Sequence, residues 1–249
     1  KYESGCSNPR DPFGPQRWGH AVYRFLEKTD LVIDFFVESI DFMGHISKVI
    51  RLDHTLALIW KYYIINPKTG VGRHKRAIGD KLFPKLFLKF PEMFFVAEDV
   101  GYVSRKNVDL PLMKMGLPGM VCPQWTSKKK YTDFSKYPAL SMAFTSNHDL
   151  PSLPKWLNGI NKSERKIFSK ELDGGLSQNI KEATIQMTEM VFGSSSMMAS
   201  VSMRDILGDL RRENHPGIKN YRDWKLNMTE NIENVDFSWI REIIKKSRR

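Results

Sequence analysis

Apolar residues along the chain follow two alternating patterns, one with helical spacing and one of short continuous runs. Positions three and four apart predict helices over 29–43, 82–90, 163–172, 179–192, 239–244 and from about 203 to 213. Short apolar runs predict strands at 49–50, 93–97, 120–122, 140–145 and 197–202. Because segments 1–24 and 61–79 are rich in Gly, Pro and polar residues, we expect irregular loops there.

Strands that alternate with helices predict a parallel sheet, and continuous apolar strands fit a sheet that is buried on both faces. We therefore expect an α/β fold. Three of the predicted strands run into acidic residues, at Asp53, Glu98 and Asp149. The C-terminal ends of parallel strands carry the active site in barrels and in open α/β sheets alike. If these strands are neighbours, the three carboxylates converge in one pocket.

Converging carboxylates leave three interpretations open. A nucleophilic carboxylate beside a carboxylic acid would serve glycoside chemistry. In a metal site, the oxygen and nitrogen ligands would come from Asp53, His54, Glu98, Asp99, His148 and Asp149. In the third interpretation, the acids only cap helices or pair with arginine.

Composition restricts the class of protein without deciding its function. The 249 residues are 41% apolar and 27% charged, which excludes a mainly disordered chain or a coiled coil. A net charge of +11 suggests nucleic acid, but the basic clusters at 73–76, 128–130 and 245–249 lack interleaved aromatics, so no nucleic-acid partner is expected. No apolar run approaches the roughly 20 residues of a spanning helix, and we expect no membrane partner. Two cysteines, Cys6 and Cys122, fit a reducing compartment, which predicts a cytoplasmic protein.

Six short segments carry a further pattern, spread in order over most of the chain. They are 14–23 (GPQRWGHAVY), 51–54 (RLDH), 97–101 (AEDVG), 116–120 (GLPGM), 148–149 (HD) and 214–217 (NHPG), the last followed by Trp224. Together they resemble the motifs of the 4-α-glucanotransferases of the amylomaltase type. One such motif is weak evidence, whereas six in the family's order are strong evidence. The resemblance implies a (β/α)8 TIM-type barrel, of which these residues would be the C-terminal five βα units.

The resemblance implies a retaining α-1,4-glucan transferase that disproportionates malto-oligosaccharides through a covalent glycosyl-enzyme on Asp53. Glu98 would be the general acid and then the base, and Asp149 would stabilise the transition state. Arg51 lies two residues before Asp53 on the same strand face, so its guanidinium would keep Asp53 ionised. Apolar neighbours at 94–96 would raise the pKa of Glu98, as a general acid requires. The implied partner is a malto-oligosaccharide or glucan, with no cofactor and no metal.

Substrate contacts are implied for Arg51, His148, Trp18, His54 and Asp99. Trp18 would stack on a sugar and His148 would hydrogen-bond a bound glucose. The alternative interpretation is that Trp18 is only a packing residue and that His148 is a buried core histidine. On an ideal strand, the side chain of His54 would point to the face opposite that of Asp53, so its role is the less certain one to transfer.

Several positions depart from the family's pattern. Asn147 and Leu150 flank the His-Asp pair where family members carry Thr and Asn, and Arg204 stands where Gln is common. Because Leu150 has no hydrogen-bonding group, we expect the sugar contacts near Asp149 to differ.

Members of the family are much longer than 249 residues, and their first three barrel strands precede the Trp18 loop. We therefore expect the five strands to be the fourth to eighth of the barrel, which five strands cannot close. The expected single domain over 1–249 has an active-site-cleft loop at 1–24, strands and helices over 48–212 and a C-terminal segment at 213–249. It would be a fragment, a truncated gene product or part of a split enzyme, with an N-terminal half of the same barrel as partner. The competing hypothesis is a degenerate remnant that at most binds glucan.

Overall fold

The computed structural model describes residues 2–6, 16–23, 27–100, 106–126, 133–216 and 222–247. The chain divides into two compact units, Lys1–Met120 and Val121–Arg249. Within the described residues, no helix has both the length and the apolar character needed to cross a membrane.

The first unit mixes parallel and antiparallel strands. Its elements are β1 (Glu3–Cys6), β2 (Gln16–Ala21), α1 (Thr29–Gly44), β3 (Val49–Leu52), α2 (Leu56–Ile59), β4 (Lys61–Ile65), β5 (Gly72–Arg76), α3 (Gly79–Lys89), β6 (Phe94–Ala97) and α4 (Lys106–Met115). Strands β3 and β6 pair in parallel, with Leu52 opposite Ala97. The predicted helices at 29–43 and 82–90 are confirmed as α1 and α3.

The second unit is built around a sheet in the order β7-β8-β9, in which β8 and β9 pair in parallel. Its elements are β7 (Gly119–Val121), whose last residue opens the unit, then α5 (Pro123–Thr126), β8 (Ser141–Phe144), α6 (Leu153–Gly159), α7 (Lys162–Ser169), α8 (Ile180–Phe192), β9 (Met198–Ser200), α9 (Met203–Ile206) and α10 (Ser238–Ser247). All five predicted strands are thereby confirmed, as β3, β6, β7, β8 and β9.

An antiparallel sheet in the order β2-β1-β4-β5 replaces the loops that the sequence predicted over 1–24 and 61–79. That prediction was wrong for the residues of these four strands, whereas residues 66–71 do form a turn, and residues 1, 7–15 and 24 lie outside the described residues. The signal in β4 is the alternation that buries Tyr62 and Ile64, but β5 is polar throughout and hides the hairpin. The Pro and Gly residues mark its turn, where Gly70 has a φ of 70°.

Helix ends explain most remaining differences from the predicted elements. The helix expected to reach about residue 213 ends at Ile206, because Gly208 adopts a left-handed φ of 67°. The predicted helices at 163–172, 179–192 and 239–244 are confirmed as α7, α8 and α10. Asn161 and Asn179 start α7 and α8, since each side chain accepts hydrogen bonds from free amides of the first turn.

Each unit has its own apolar core. In the first unit, α1 and α3 cover the parallel pair with Val32, Ile33, Ile40, Leu82, Phe83 and Leu86. In the second unit, α6, α8 and α10 contribute Leu153, Leu157, Met187, Val191, Ile240 and Ile243. These cores fix the strands whose C-terminal ends carry the predicted acids. The expectation of one domain over 1–249 stays a prediction.

Candidate active site

Two of the three predicted acids leave one parallel sheet at the same edge. Asp53 directly follows β3 and Glu98 directly follows β6, and the last residues of these strands are opposite each other in the ladder. The amide of Glu98 donates to the carbonyl of Leu52 at 2.9 Å, so the pairing continues to the acid itself. The expectation that these two strands are neighbours is confirmed, and the convergence of their acids in one pocket stays a prediction.

A tight turn ties the segment after β3 to the Glu98 carboxylate. His54 has a φ of 44°, a left-handed conformation that is rare outside glycine. This conformation aims the His54 amide at Glu98, and the amide donates to Oε2 at 2.9 Å. The next amide, of Thr55, donates to the Glu98 carbonyl at 2.9 Å. Main-chain hydrogen bonds therefore hold the general-acid candidate against the turn that carries Asp53.

Arg51 and Asp53 form the ion pair that their spacing predicted. Nη1 of Arg51 lies 2.7 Å from Oδ1 of Asp53, and the Asp53 side chain is mostly exposed. Nε of Arg51 is buried and has no hydrogen-bond partner among the described residues. The guanidinium of Arg51 is thus ion-paired with the candidate nucleophile.

Glu98, unlike Asp53, is mostly buried, and burial is the largest influence on the pKa of its carboxyl. The pKa of Glu98 is raised from an ordinary 4.5 to about 7, mainly by burial and to a smaller extent by the negative charges of Asp53 and Asp99. Arg51 and the His54 amide act in the opposite direction, since both favour the ionised form. One carboxylate is therefore ion-paired and exposed, while its neighbour holds a proton near neutral pH. Glycoside chemistry requires this division between two acids.

Trp18 of β2 packs against His54, which follows Asp53 in the turn after β3. Their ring centroids are 4.8 Å apart and nearly perpendicular, and Nε1 of Trp18 donates to Oε1 of Gln16 at 2.9 Å. Burial lowers the pKa of His54, which keeps the imidazole neutral at physiological pH. The ideal-strand geometry does not apply to His54, because its backbone has already left the strand.

Asp99 is buried, and its carboxylate is hydrogen-bonded to the main chain of β7. Its side chain is 2% exposed, and Oδ1 accepts a hydrogen bond from the Met120 amide at 2.8 Å. A Cβ at Gly119 would lie 2.8 Å from Oδ2, so only glycine leaves room for the carboxylate. Asp99 thus holds the start of β7, and the substrate contact implied for it stays a prediction.

Asp149 lies in a loop of the second unit, beyond the end of β8. Oδ1 of Asp149 accepts from Nδ2 of Asn214 at 2.6 Å, and Oδ2 lies 3.1 Å from Nε2 of His148. The side chain of Asn147 shapes this loop, because its Oδ1 accepts from the amides of Asp149 and Leu150 at 3.0 and 3.1 Å. The convergence of Asp149 with the other two acids stays a prediction.

Sequence reasoning missed the residues that hold this loop. Nη2 of Arg212 donates to the Asp149 carbonyl at 2.8 Å, and the ring of Trp224 lies 5.2 Å from that of His148. Asn214 begins the matching segment at 214–217 and Trp224 follows it, so the sequence did mark both residues. The resemblance, however, implied no role for either of them. Nη2 of Arg204 donates to the Asn147 carbonyl at 2.6 Å, so this departure from the family's Gln also braces the loop.

Asp205 is a further buried carboxylate, and its function is to support the loop that carries Asp149. Its Oδ2 accepts from Thr145 and Ser146 at 2.6 and 2.7 Å, and its Oδ1 accepts from the Leu153 amide at 2.6 Å. Burial raises the pKa of Asp205, although these donors oppose the shift. The three donors span both ends of the loop that carries Asp149, so Asp205 closes that loop.

In the part of the chain that the structure describes, no group of three or more His, Cys, Asp or Glu side chains is arranged to hold a metal ion. Cys122 is fully buried, and burial raises its pKa. A buried thiol of this kind is a packing residue.

Comparisons with known proteins place this arrangement in a family. The sequence profile of glycoside hydrolase family 77, described as 4-alpha-glucanotransferase, matches residues 3–233. The chain belongs to this family. The resemblance that the motifs carried is thereby confirmed.

Relatives in the family are similar along nearly the whole chain. A 4-alpha-glucanotransferase of Aquifex aeolicus is 26% identical over 239 residues, which are 93% of this chain and 47% of the relative. One of Thermus thermophilus is 26% identical over 215 residues, 81% of this chain and 42% of the relative. The chain spans about half the length of the family members it matches.

A solved structure also shows that this chain corresponds to about half of a family member. The amylomaltase of Streptococcus agalactiae, determined in complex with acarbose, superposes with a TM-score of 0.84 at 20% identity, covering 100% of this chain and 51% of its own. The fold is therefore that of about half of an amylomaltase. The prediction that the chain has the fold of part of an amylomaltase is confirmed.

Proposed function

We propose that the chain carries the catalytic pair of a retaining α-1,4-glucan transferase, with Asp53 as nucleophile and Glu98 as acid and base. The observation that carries the proposal is the contrast between the two strand-end acids. Asp53 is ion-paired with Arg51 at 2.7 Å, whereas burial raises the pKa of Glu98 to about 7. Membership in the 4-alpha-glucanotransferase family supports the same chemistry.

In the first step, a carboxylate oxygen of Asp53 forms a bond to the anomeric carbon of the donor glucan. The bond from that carbon to the leaving 4-oxygen breaks, and its electron pair goes to the oxygen. Glu98 gives its proton to that oxygen, so the leaving glucan departs with a 4-hydroxyl. A Glu98 pKa near 7 keeps the acid available at neutral pH.

In the second step, the 4-hydroxyl of an acceptor sugar attacks the anomeric carbon and displaces Asp53. The ionised Glu98 now takes the hydroxyl proton, which returns both residues to their starting states. Two inversions at one carbon retain the α configuration. Transfer exceeds hydrolysis when the acceptor excludes water from the site.

Aromatic and polar side chains near the acids would bind the sugars. We propose that Trp18 stacks on a glucose ring and that Arg51 and His54 contact hydroxyls near Asp53. In the second unit, His148 and Trp224 form a half-exposed aromatic pair beside Asp149, with ring centroids 5.2 Å apart. We assign that pair to sugar binding and Asp149 to stabilising the transition state.

We further propose that β3, β6, β7, β8 and β9 correspond to the fourth to eighth strands of a (β/α)8 barrel. Both described ladders of this set are parallel, as a barrel requires. The remaining strands would come from an N-terminal half of the same barrel, since the solved amylomaltase is about twice as large as the part that this chain covers.

Trapping of the glycosyl-enzyme tests the catalytic assignment directly. The protein is incubated with a fluorinated α-maltosyl fluoride, in which a fluorine on the sugar ring slows the second step, and is then analysed by mass spectrometry. We expect one added glycosyl unit on the peptide that contains Asp53. The same mass should be absent in Asp53→Asn and present in Asp173→Asn, which changes an exposed carboxylate elsewhere.

Turnover separates the transferase from a non-catalytic remnant. We expect glucose release from maltotriose, and we expect Glu98→Gln to lose it while the exposed control Glu230→Gln keeps it. Glucan binding that is equal in wild type and Glu98→Gln, with no trapped intermediate and no glucose, would instead establish the remnant.

A further inference from the structure

Trp224 has a main-chain conformation that its residue type disfavours. Its φ is 61°, in the left-handed region, where a large aromatic residue is uncommon and strained. The side chain is 61% exposed, so packing within the described part of the chain does not impose this conformation. Strain of this kind persists only where surrounding contacts fix it, and such residues are concentrated at binding and active sites. The contacts that hold Trp224 therefore bear on the sugar site proposed beside Asp149.

His215 binds the residue that precedes Trp224 through two hydrogen bonds. Nδ1 of the His215 ring lies 2.7 Å from Oδ1 of Asp223, and the His215 amide donates to Oδ2 at 3.1 Å. Partial burial of Asp223 opposes its charged form, but the hydrogen bonds from His215 and the nearby positive charges together outweigh burial, so the pKa of Asp223 lies below its usual value. Because an ionised carboxylate can only accept, Nδ1 is the donor. We call these two residues the His215–Asp223 pair.

The pair lies between two further contacts of the same short segment. The Trp224 amide donates to the Glu213 carbonyl at 2.9 Å, and Nδ2 of Asn214 donates to Oδ1 of Asp149 at 2.6 Å. Residues 213, 214 and 215 are therefore bonded in turn to Trp224, Asp149 and Asp223. This arrangement fixes the main chain of Trp224 next to the residue that holds Asp149, although the sequence implied no role for either member of the pair.

We propose that the His215–Asp223 pair positions Trp224 and thereby sets the affinity of the glucan site beside Asp149. With the pair in place, the ring of Trp224 lies 5.2 Å from that of His148, so one sugar can contact both side chains. A ring that is already held in its bound position loses less conformational freedom when the sugar binds, which raises affinity. Without the pair, the strained main chain of Trp224 relaxes and the ring leaves His148. The proposal rests on the sugar-binding role proposed above for these two rings, and the pair itself touches no sugar.

The alternative is a pair that only stabilises the fold of the second unit. Charge-assisted hydrogen bonds stabilise a protein wherever they occur, so their removal lowers the melting temperature in either case. A pair that only stabilises the fold predicts an unchanged ring position and an unchanged affinity for sugar in any variant that still folds. The position of the Trp224 ring relative to His148 therefore distinguishes the two interpretations.

Proton NMR of the histidine side chains tests the positioning without using activity. The His148 signal is identified by its loss in His148→Gln, and Trp224→Ala gives the ring-current shift that the Trp224 ring imposes on that signal. At about pH 8.5, well above the usual histidine pKa of about 6.5, we expect His215→Ala to remove at least half of this shift. His215→Asn should keep most of it, because the amide retains a donor near the position of Nδ1. His215→Ala/Trp224→Ala should match Trp224→Ala, since the pair acts through Trp224.

Two further variants complete the comparison. Asp223→Asn keeps the shape of the side chain and one acceptor oxygen, so it should fold and lose part of the shift. The matched control is His45→Ala, which removes an exposed histidine of the first unit and should leave the His148 signal in place. Calorimetry then measures maltotriose affinity in the Asp53→Asn background, where turnover is absent. There, His215→Ala should weaken binding about 10-fold, as Trp224→Ala should, and His45→Ala should not.

The outcomes are distinct. An unmoved His148 signal in His215→Ala or Asp223→Asn, a shift in the double variant beyond that of Trp224→Ala, or a maltotriose affinity that His215→Ala leaves unchanged would each overturn the proposal. A lower melting temperature with an unmoved signal would assign the pair to stability alone. The catalytic proposal fails separately, because a wild type that releases no glucose, while the shift and the affinity change as expected, would contradict only the catalytic roles.

Discussion

The protonation of Glu98 should make the stability of the protein depend on pH in a way that Glu98→Gln removes. Below about pH 4.5 the carboxyl is protonated in both the native and the unfolded chain. As the pH rises from 4.5 to 7, the unfolded chain loses this proton while the native protein keeps it, so stability falls. Above pH 7 the native carboxyl also ionises, and the loss levels off.

The size of the effect follows from the pKa values. A shift from 4.5 to about 7 corresponds to a destabilisation of about 3 kcal/mol above pH 7. Between pH 5 and pH 8 the wild type should lose about 2 kcal/mol more than Glu98→Gln. The glutamine has the same shape, and its carbonyl oxygen can still accept the hydrogen bond from the His54 amide.

Urea unfolding followed by tryptophan fluorescence at pH 5, 6, 7 and 8 measures this difference. We expect the stability of Glu98→Gln relative to wild type to increase steadily over this range. Glu230→Gln, an exposed control, should keep a constant difference from wild type. A difference between Glu98→Gln and wild type that is the same at every pH would refute the reasoning, since Glu98 would then titrate alike in the native and unfolded states.

The remaining predictions concern the groups around the acids. Arg51→Met should move the upper limb of the pH–rate profile to higher pH, because Arg51 lowers the pKa of Glu98; an unchanged limb would contradict this. Asn214→Ala removes the 2.6 Å hydrogen bond to Asp149, and kcat/KM for maltotriose should fall roughly 10- to 100-fold with little change in thermal stability. Asp205→Ala leaves three donors without their acceptor and should lower the free energy of unfolding by about 2 to 4 kcal/mol, as urea titration measures.

The parallel core and the acids at its edge could be predicted because their signals are local. Continuous apolar runs identify β3 and β6, and the acids follow immediately in the sequence. The Arg51–Asp53 ion pair also follows from a spacing of two residues in a strand. Burial of Glu98 could be expected from the apolar residues before it.

Other parts of the site depend on contacts that local patterns do not contain. Asn214 and Asp149 are 65 residues apart, so their hydrogen bond needs the fold to be known. The left-handed conformation of His54 does not follow from its residue type alone, since tertiary hydrogen bonds hold it. Strand β5 was hidden for another reason, because an edge strand whose side chains are mostly exposed can be polar throughout.

The register of β3 and β6 limits how the gene can change. Leu52 and Ala97 are level, and the acids follow each strand without a spacer. One inserted or deleted codon within either strand would displace its acid by about 3.3 Å and turn its side chain to the opposite face. The segment at 66–71, which only connects β4 to β5, has no such restriction. Over evolutionary time, these two strands can therefore accept replacements but keep a fixed number of residues, whereas length variation accumulates in the hairpin turn.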